Sequence, residues 1–236
     1  MSTGQVITLL ILLLGSVLSY TTKKLTLAGA ATGALVGLLM YKGAGLTGLI
    51  MLAAFFISAI WATKWQVAKK SAIGAAEKNK GRRTAGQVLA NGGVAAFLGA
   101  ATWLFPENIA VIKLMIAGSF AAATADTLSS ELGMVYGRRF FNILTFKKDR
   151  RGLDGVVSLE GTLVGLGGAA FIALCYSLSC GWSFSFLWII IAGFTGNLVD
   201  SVLGASLERK GWVGNNVVNF LNTAVGAGVC WVLLFY

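Results

Sequence analysis

The sequence predicts an all-α fold, a polytopic membrane helical bundle of about eight transmembrane helices around a cytoplasm-facing polar pocket. Three observations carry this. First, 56% of the 236 residues are hydrophobic and only 12% are charged, about half the charged share of a soluble domain; mean hydropathy is +0.78. Second, the apolar residues fall into runs close to the roughly 20 residues that a membrane crossing needs. Third, the basic residues cluster in every second loop, as the positive-inside rule demands. Residues 1–236 read as one integral membrane domain with no soluble module.

The spans run 5–20, 25–41, 45–62, 85–105, 111–136, 157–178, 186–207 and 217–236. The first, Gln5 to Tyr20, resembles a signal peptide in length. It lacks a basic leading segment and another apolar run follows at once, so it reads as a retained helix. Spans one and two are short and only four residues apart, which also fits a hairpin that crosses incompletely. Span two carries Gly29, Gly33 and Gly37, and span six repeats that spacing with Gly161 and Gly165. Small residues at this spacing let membrane helices approach closely, so they read as packing positions. Spans four, six and eight leave basic loops with related starts: GQVLANGGVAAFLGA, GVVSLEGTLVGLGGA and NNVVNFLNTAVGAGV. Asn91, Glu160 and Asn222 hold similar places in them. Spans five and seven return to the same side carrying Asp126-Thr127 and Asp200-Ser201. Repeated helix pairs around one pocket, or chance likeness among Gly- and Ala-rich spans, account for this equally.

Loops 21–24, 63–84, 137–156 and 208–216, placed on one side, hold 17 of the 19 Lys and Arg residues; only Lys42 and Lys113 fall opposite. These loops are therefore assigned to the cytoplasm of the cell or plasma membrane, and both termini to the outside. They account for the formal charge of +10, so nucleic acid is not an expected partner, whereas membrane lipids are. Cys175, Cys180 and Cys230 are scattered, two of them in apolar runs, and read as small fillers. Histidine is absent, which removes the commonest general base and the commonest zinc ligand. The chemistry left runs on carboxylates, amides, hydroxyls, basic groups and a hard, oxygen-ligated cation such as Mg²⁺.

Asp126 and Asp200 lie inside spans five and seven. A charge near the middle of a membrane helix costs about 2.5–3.5 kcal/mol on insertion scales, so something must offset it. Both fall, with Glu131 and Glu160, on the cytoplasmic halves of their spans. At the helical rise, Asp126 and Asp200 sit roughly 8–15 Å below the inner boundary. Arg83, Gln87 and Asn91 share one face of span four, and Asn215, Asn219 and Asn222 one face of span eight. Asn197 and Ser201 accompany Asp200. Interhelical amide pairing explains one such residue. Amides and acids on four spans at one depth favour a polar ligand site.

The loop FKKDRRGLDGVVSLEG, Phe146 to Gly161, sets Lys147, Lys148, Arg150 and Arg151 beside Asp154 and Glu160. It reads either as an anchor on anionic headgroups or as a phosphate clamp beside a metal-binding carboxylate. No G-x-x-x-x-G-K-[ST] loop is present. Acids for Mg²⁺ beside cations for phosphate are the minimal parts of phosphoryl transfer. A phosphate acceptor, with a second pKa of about 6, is already ionised at neutral pH and needs no strong base.

ATADTLSSELG (Ala123 to Gly133), DGVVSLEGTLVGLGGA (Asp154 to Ala169), GNLVDSVLGASLERKGWVGNNVVNFLNT (Gly196 to Thr223) and GRRTAGQVLANGG (Gly81 to Gly93) together resemble the phytyl-phosphate kinase family of integral membrane proteins. The likeness covers nearly the whole chain and rests on the motifs as a set. It implies phosphorylation of an isoprenoid monophosphate to the diphosphate by a nucleoside triphosphate, CTP favoured, with Mg²⁺. It implies catalytic or metal roles among Asp126, Glu131, Asp154, Glu160 and Asp200. Arg83, Lys147 and Lys148 would hold phosphates. Gln87, Asn91, Asn197, Ser201, Asn215, Asn216, Asn219 and Asn222 would bind nucleotide or phosphate. A cytidylyltransferase forming a CDP-lipid, a polyprenol kinase and a cation- or proton-coupled transporter are the alternatives. The outer halves of the spans hold almost no ionisable groups, which argues against a transport path.

Overall fold

The computed structural model describes residues 3–72 and 81–235. Glu77, Lys78 and Lys80, assigned above to a cytoplasmic loop, and Tyr236 at the end of span eight lie outside these residues. The helices follow as α1 (Thr3–Thr21), α2 (Leu27–Lys64), α3 (Val67–Ser71), α4 (Ala85–Ala101), α5 (Ile109–Tyr136), α6 (Leu159–Cys180), α7 (Ser185–Leu203) and α8 (Asn215–Leu233). Between α5 and α6 a small antiparallel hairpin pairs β1 (Phe141–Asn142) with β2 (Val156–Val157). Among the described residues six helices are long and apolar enough to cross a membrane, and α4 is a shorter apolar helix.

Spans two and three are the two arms of α2. A straight helix of its 38 residues would reach about 57 Å, nearly twice the roughly 30 Å hydrocarbon core. The chain doubles back at Gly45, where φ is 61° and ψ −146°, a conformation open to glycine. The reversal brings the Leu52 side chain against Gly37. At the near end of α2 the Thr26 hydroxyl accepts from the Gly29 N–H at 3.0 Å. Two span ends differ from expectation. α4 stops at Ala101, short of residue 105, and Pro106 opens a 3-10 turn soon after. α7 passes at Gly204 into a π turn that ends at Glu208.

α5 is the central helix and packs against α2, α4, α6, α7 and α8. Its IAGSFAAATAD stretch is mostly small residues, and neighbours approach it through their own glycines. A Cβ on Gly226 of α8 would strike the Gly118 carbonyl, and one on Gly161 of α6 would lie 2.8 Å from the Ser129 carbonyl. Such close backbones are how membrane helices gain packing contacts without a hydrophobic driving force between them. The Gly161 and Gly165 pair thus packs as expected, and Gly37 receives Leu12 of α1. α1 itself is little buried, with Leu9, Leu10, Leu13 and Leu14 all exposed, as lipid-facing residues are.

The basic loops meet at one end. The Thr26 N–H donates to the Arg83 carbonyl at 3.0 Å, and the Arg83 N–H to the Lys24 carbonyl at 2.9 Å. The Lys64 side chain at the end of α2 lies beside that of Lys24, and its proximity lowers the Lys24 pKa. Trp65 Nε1 donates to the Tyr136 hydroxyl at 2.7 Å. Arg209 pairs with Asp149 at 2.8 Å. The four loops expected on one face therefore share one end of the bundle.

Candidate functional site

α4, α6 and α8 all begin at this basic end, and α5 and α7, which carry the internal acids, finish there. α4 opens with a capping box. The Thr84 hydroxyl accepts from the Gln87 N–H at 3.4 Å, and Gln87 Oε1 accepts from the Thr84 N–H at 2.9 Å. α6 opens at Ser158, whose hydroxyl accepts from the Gly161 N–H at 3.1 Å. α8 opens at Asn215 after Gly214. First turns present unpaired N–H groups and the positive end of the helix dipole, which favours anions.

A cavity of about 560 Å³ lies among these first turns. α4 lines it with Gln87 and Asn91, α6 with Ser158, Gly161 and Thr162, and α8 with Asn215 and Asn219. α5 adds Asp126, Thr127, Ser129, Ser130 and Glu131, and α7 adds Phe194, Asn197, Leu198, Asp200 and Ser201. The segment Gly152–Ser158 with Phe140 and Ile143 forms another wall. Arg209 ties that wall to the π turn by donating from Nε to the Asp154 carbonyl at 2.7 Å.

The carboxyls of Asp126 and Asp200 are in hydrogen-bonding contact with each other. Asn222 Nδ2 donates to Asp200 Oδ2 at 3.4 Å, while Asn222 Oδ1 has no hydrogen-bond partner among the described residues. Ser129 Oγ donates to Asn197 Oδ1 at 2.9 Å. A Cβ on Gly165 would come within 2.9 Å of the Asn197 amide nitrogen, so glycine there leaves room for that amide. Arg83, only 7% exposed, lies over the Phe55 ring at 5.5 Å and also lines the cavity. Two touching carboxylates repel each other in a poorly solvated place. A hard divalent cation between them would relieve that repulsion, and an anion above would meet Arg83 and the first turns.

Eleven of the expected site residues line this one cavity: Arg83, Gln87, Asn91, Asp126, Glu131, Asp154, Asn197, Asp200, Ser201, Asn215 and Asn219. Asn222 stands behind Asp200 as its hydrogen-bond donor. Four residues lie elsewhere. Glu160 accepts from the Arg138 N–H at 3.3 Å. Lys147 and Lys148 are exposed on the loop. Asn216 packs at Gly86 of α4. The geometry therefore does not join Glu160 to Asp126 and Asp200.

Two residues at or behind the site were unforeseen. Glu208 lines the cavity from the π turn and interacts with Asp154, Asp200 and Asn215. Its signal was the four-residue spacing of Asp200, Gly204 and Glu208 along one face. Lys70 is 2% exposed and pairs with Glu131 at 2.5 Å. Its ammonium also donates to the Ala62 and Thr63 carbonyls at 2.7 and 3.1 Å.

A bundle of apolar helices enclosing a recessed site with carboxylates below and helix N-termini around it defines a polytopic helical membrane protein. The chain belongs to the integral membrane protein family DUF92, whose model matches residues 10–227. It is 36% identical over 234 residues to Protein VTE6, chloroplastic, of Arabidopsis thaliana, covering 93% of this chain and 67% of that one. An uncharacterized membrane protein of Synechocystis is 32% identical over 88% of this chain and 81% of its own length. One of Methanocaldococcus jannaschii is 36% identical over 88% and 84%. No solved structure matches the chain. The family match spans all four motifs that resemble the phytyl-phosphate kinase family, and the chain is an integral membrane protein of the matched family.

Proposed function

We propose that the protein is a Mg²⁺-dependent kinase that transfers the terminal phosphate of a nucleoside triphosphate, CTP favoured, to an isoprenoid monophosphate. The observation that carries this reading is the contact between Asp126 and Asp200 at the base of a cavity ringed by helix N-termini and Arg83. Family membership supports it. The basic end faces the cytoplasm, where nucleotide is available, and both termini lie outside, because the basic loops gather there.

The residues fit Mg²⁺. The donors are all oxygens, and among the described residues no three acidic, His or Cys side chains form a closed metal cage. Mg²⁺ commonly takes one or two carboxylates and fills its sphere with phosphate and water oxygens. Asp126 and Asp200 would hold it, with Asp154 and Glu208 nearby. When bound, it would neutralise charge on the transferring phosphoryl group. Arg83 and the first turns of α4, α6 and α8 orient phosphate oxygens. An oxygen of the lipid phosphate forms a bond to the terminal phosphorus. The bond from that phosphorus to its bridging oxygen breaks, and the electron pair leaves on the nucleoside diphosphate. The acceptor oxygen carries no proton that must be removed, so the lack of histidine is no obstacle.

The test is purified protein with Mg²⁺, a panel of nucleoside triphosphates, and prenyl monophosphates and alcohols as acceptors. Nucleoside diphosphate and prenyl diphosphate are expected. Release of pyrophosphate would instead identify a cytidylyltransferase, and turnover of alcohols a polyprenol kinase. No nucleotide turnover with any acceptor would sink the kinase reading.

A further inference from the structure

We propose that the crevice between α6 and α7 holds the apolar tail of an isoprenoid monophosphate whose head lies in the cavity, with Phe194 and Leu198 setting tail specificity; this rests on the kinase reading above. The cavity wall on α7 changes character within two turns. Asn197, Asp200 and Ser201 line it, and so do Phe194 and Leu198. At 100° per residue the last two fall on the side of α7 beyond Asn197 and Ser201, away from α8.

The register of the two helices shows what that edge faces. Gly165 of α6 stands opposite Asn197, and a Cβ on Gly193 would strike the Ala169 Cβ. The helices are therefore antiparallel, with Thr162 level with Asp200 and Ser201. Phe194 and Leu198 lie deeper along the same gap. The contacts of Gly165 with Asn197 and of Gly193 with Ala169 close the gap on its inner side, toward α5, and leave Phe194 and Leu198 on its outer edge.

Leu198 is 40% exposed although it lines the cavity. It sits ten residues before Glu208, about 15 Å along the helix from the basic end, at hydrocarbon depth. A water-soluble substrate gains nothing from an apolar opening at that depth. A lipid with a phosphate head does: the head meets Arg83 and the helix N-termini, while the tail leaves sideways past Phe194 and Leu198 into the hydrocarbon. The gap's continuity with the polar floor selects such an occupant over one that touches only lipid-facing surface.

The test uses the full chain in nanodiscs with a prenyl monophosphate carrying a diazirine in its tail, followed by peptide mapping. Adducts are expected on Phe194, Leu198 or the α6 residues facing them, and excess unlabelled prenyl monophosphate should remove them. Leu198→Trp should cut this labelling by about tenfold, as filling a hydrophobic pocket does. Leu89→Trp, on an exposed position of α4, should change it by less than roughly twofold. Adducts confined to other helices, or displaced equally well by phosphatidylglycerol, or displaced by neither lipid, would overturn the proposal. Nucleotide turnover in the same sample separates the two readings. Turnover without crevice labelling leaves the kinase and removes the crevice. Competed crevice labelling without turnover does the reverse.

Discussion

Lys70 reaches from the short helix after α2 to pair with Glu131 of α5, 61 positions away, at 2.5 Å and with only 2% of its surface exposed. The same ammonium satisfies the Ala62 and Thr63 carbonyls in the last turn of α2, where a cation also complements the helix dipole. Removing one member of a buried pair leaves the other uncompensated, at about 3–5 kcal/mol. Lys70→Met should therefore lower the unfolding midpoint in detergent sharply. Adding Glu131→Gln should recover part of the loss, because no lone charge remains. If the double variant is as unstable as the sum of the singles, the pair is not the source of the effect.

Asp126→Asn and Asp200→Asn should separate activity from stability. Each removes one of two repelling carboxylates and one oxygen donor for a cation. Loss of a preorganised electrostatic group typically costs about 10²–10³ in kcat. Without Mg²⁺, each variant should melt at or above the wild-type temperature. Wild type should gain more from added Mg²⁺ than either variant, since a bound ion stabilises the folded state by mass action. Equal Mg²⁺ shifts in all three proteins would remove these residues from the metal site.

How much of this was legible in the sequence depended on regular helices. Asp126 and Asp200 were expected at one depth because both sit a few turns from a basic loop, and their carboxyls do touch. The amides of α4 and α8 converged because three-and-four spacing reliably marks a helix face. Where the backbone departs from an α-helix, the reading failed. Lys70 lies on the short α3, which opens at Gln66 with a left-handed φ of 46°, and nothing in the local sequence signals a left-handed glutamine. Glu208 reaches the cavity on a π turn, a feature frequent at functional sites, whereas the sequence reading placed it in the loop beyond span seven despite its four-residue spacing from Gly204. Glu160 shows the opposite error. It precedes Gly161, which faces α5, so its own side chain turns away, and proximity in sequence to Asp154 was mistaken for proximity in space.

The crossing of α5 and α8 rests on Gly118 and Gly226, each of whose absent Cβ atoms would strike the other's carbonyl oxygen. Backbone on both sides leaves no flexible side chain to move aside. Gly226→Ala should cost about 1–3 kcal/mol, the usual range for overpacking, and Gly226→Val more. Gly228→Ala, two residues further on, meets open space and should be neutral or slightly stabilising through helix propensity. Chemical denaturation in detergent reports both. A neutral Gly226→Val would show that the helices are free to separate there.

The hairpin wall should loosen in acid. The Asp149 carboxylate accepts from the Arg150 N–H at 2.7 Å and pairs with Arg209 at 2.8 Å, and these contacts lower its pKa. A carboxyl with a folded pKa below its unfolded value, about 3.9, adds stability that is complete above that value. The contribution is lost as pH falls through the folded pKa. Hydrogen exchange across residues 139–157, corrected for intrinsic rates, should stay protected from neutral pH to about pH 5 and rise below about pH 4. Asp149→Asn should show raised exchange at neutral pH and a weaker acid dependence. High salt should mimic it in part, because the pair is exposed enough to be screened. An acid transition of the same size in Asp149→Asn as in wild type would assign the titration to another group.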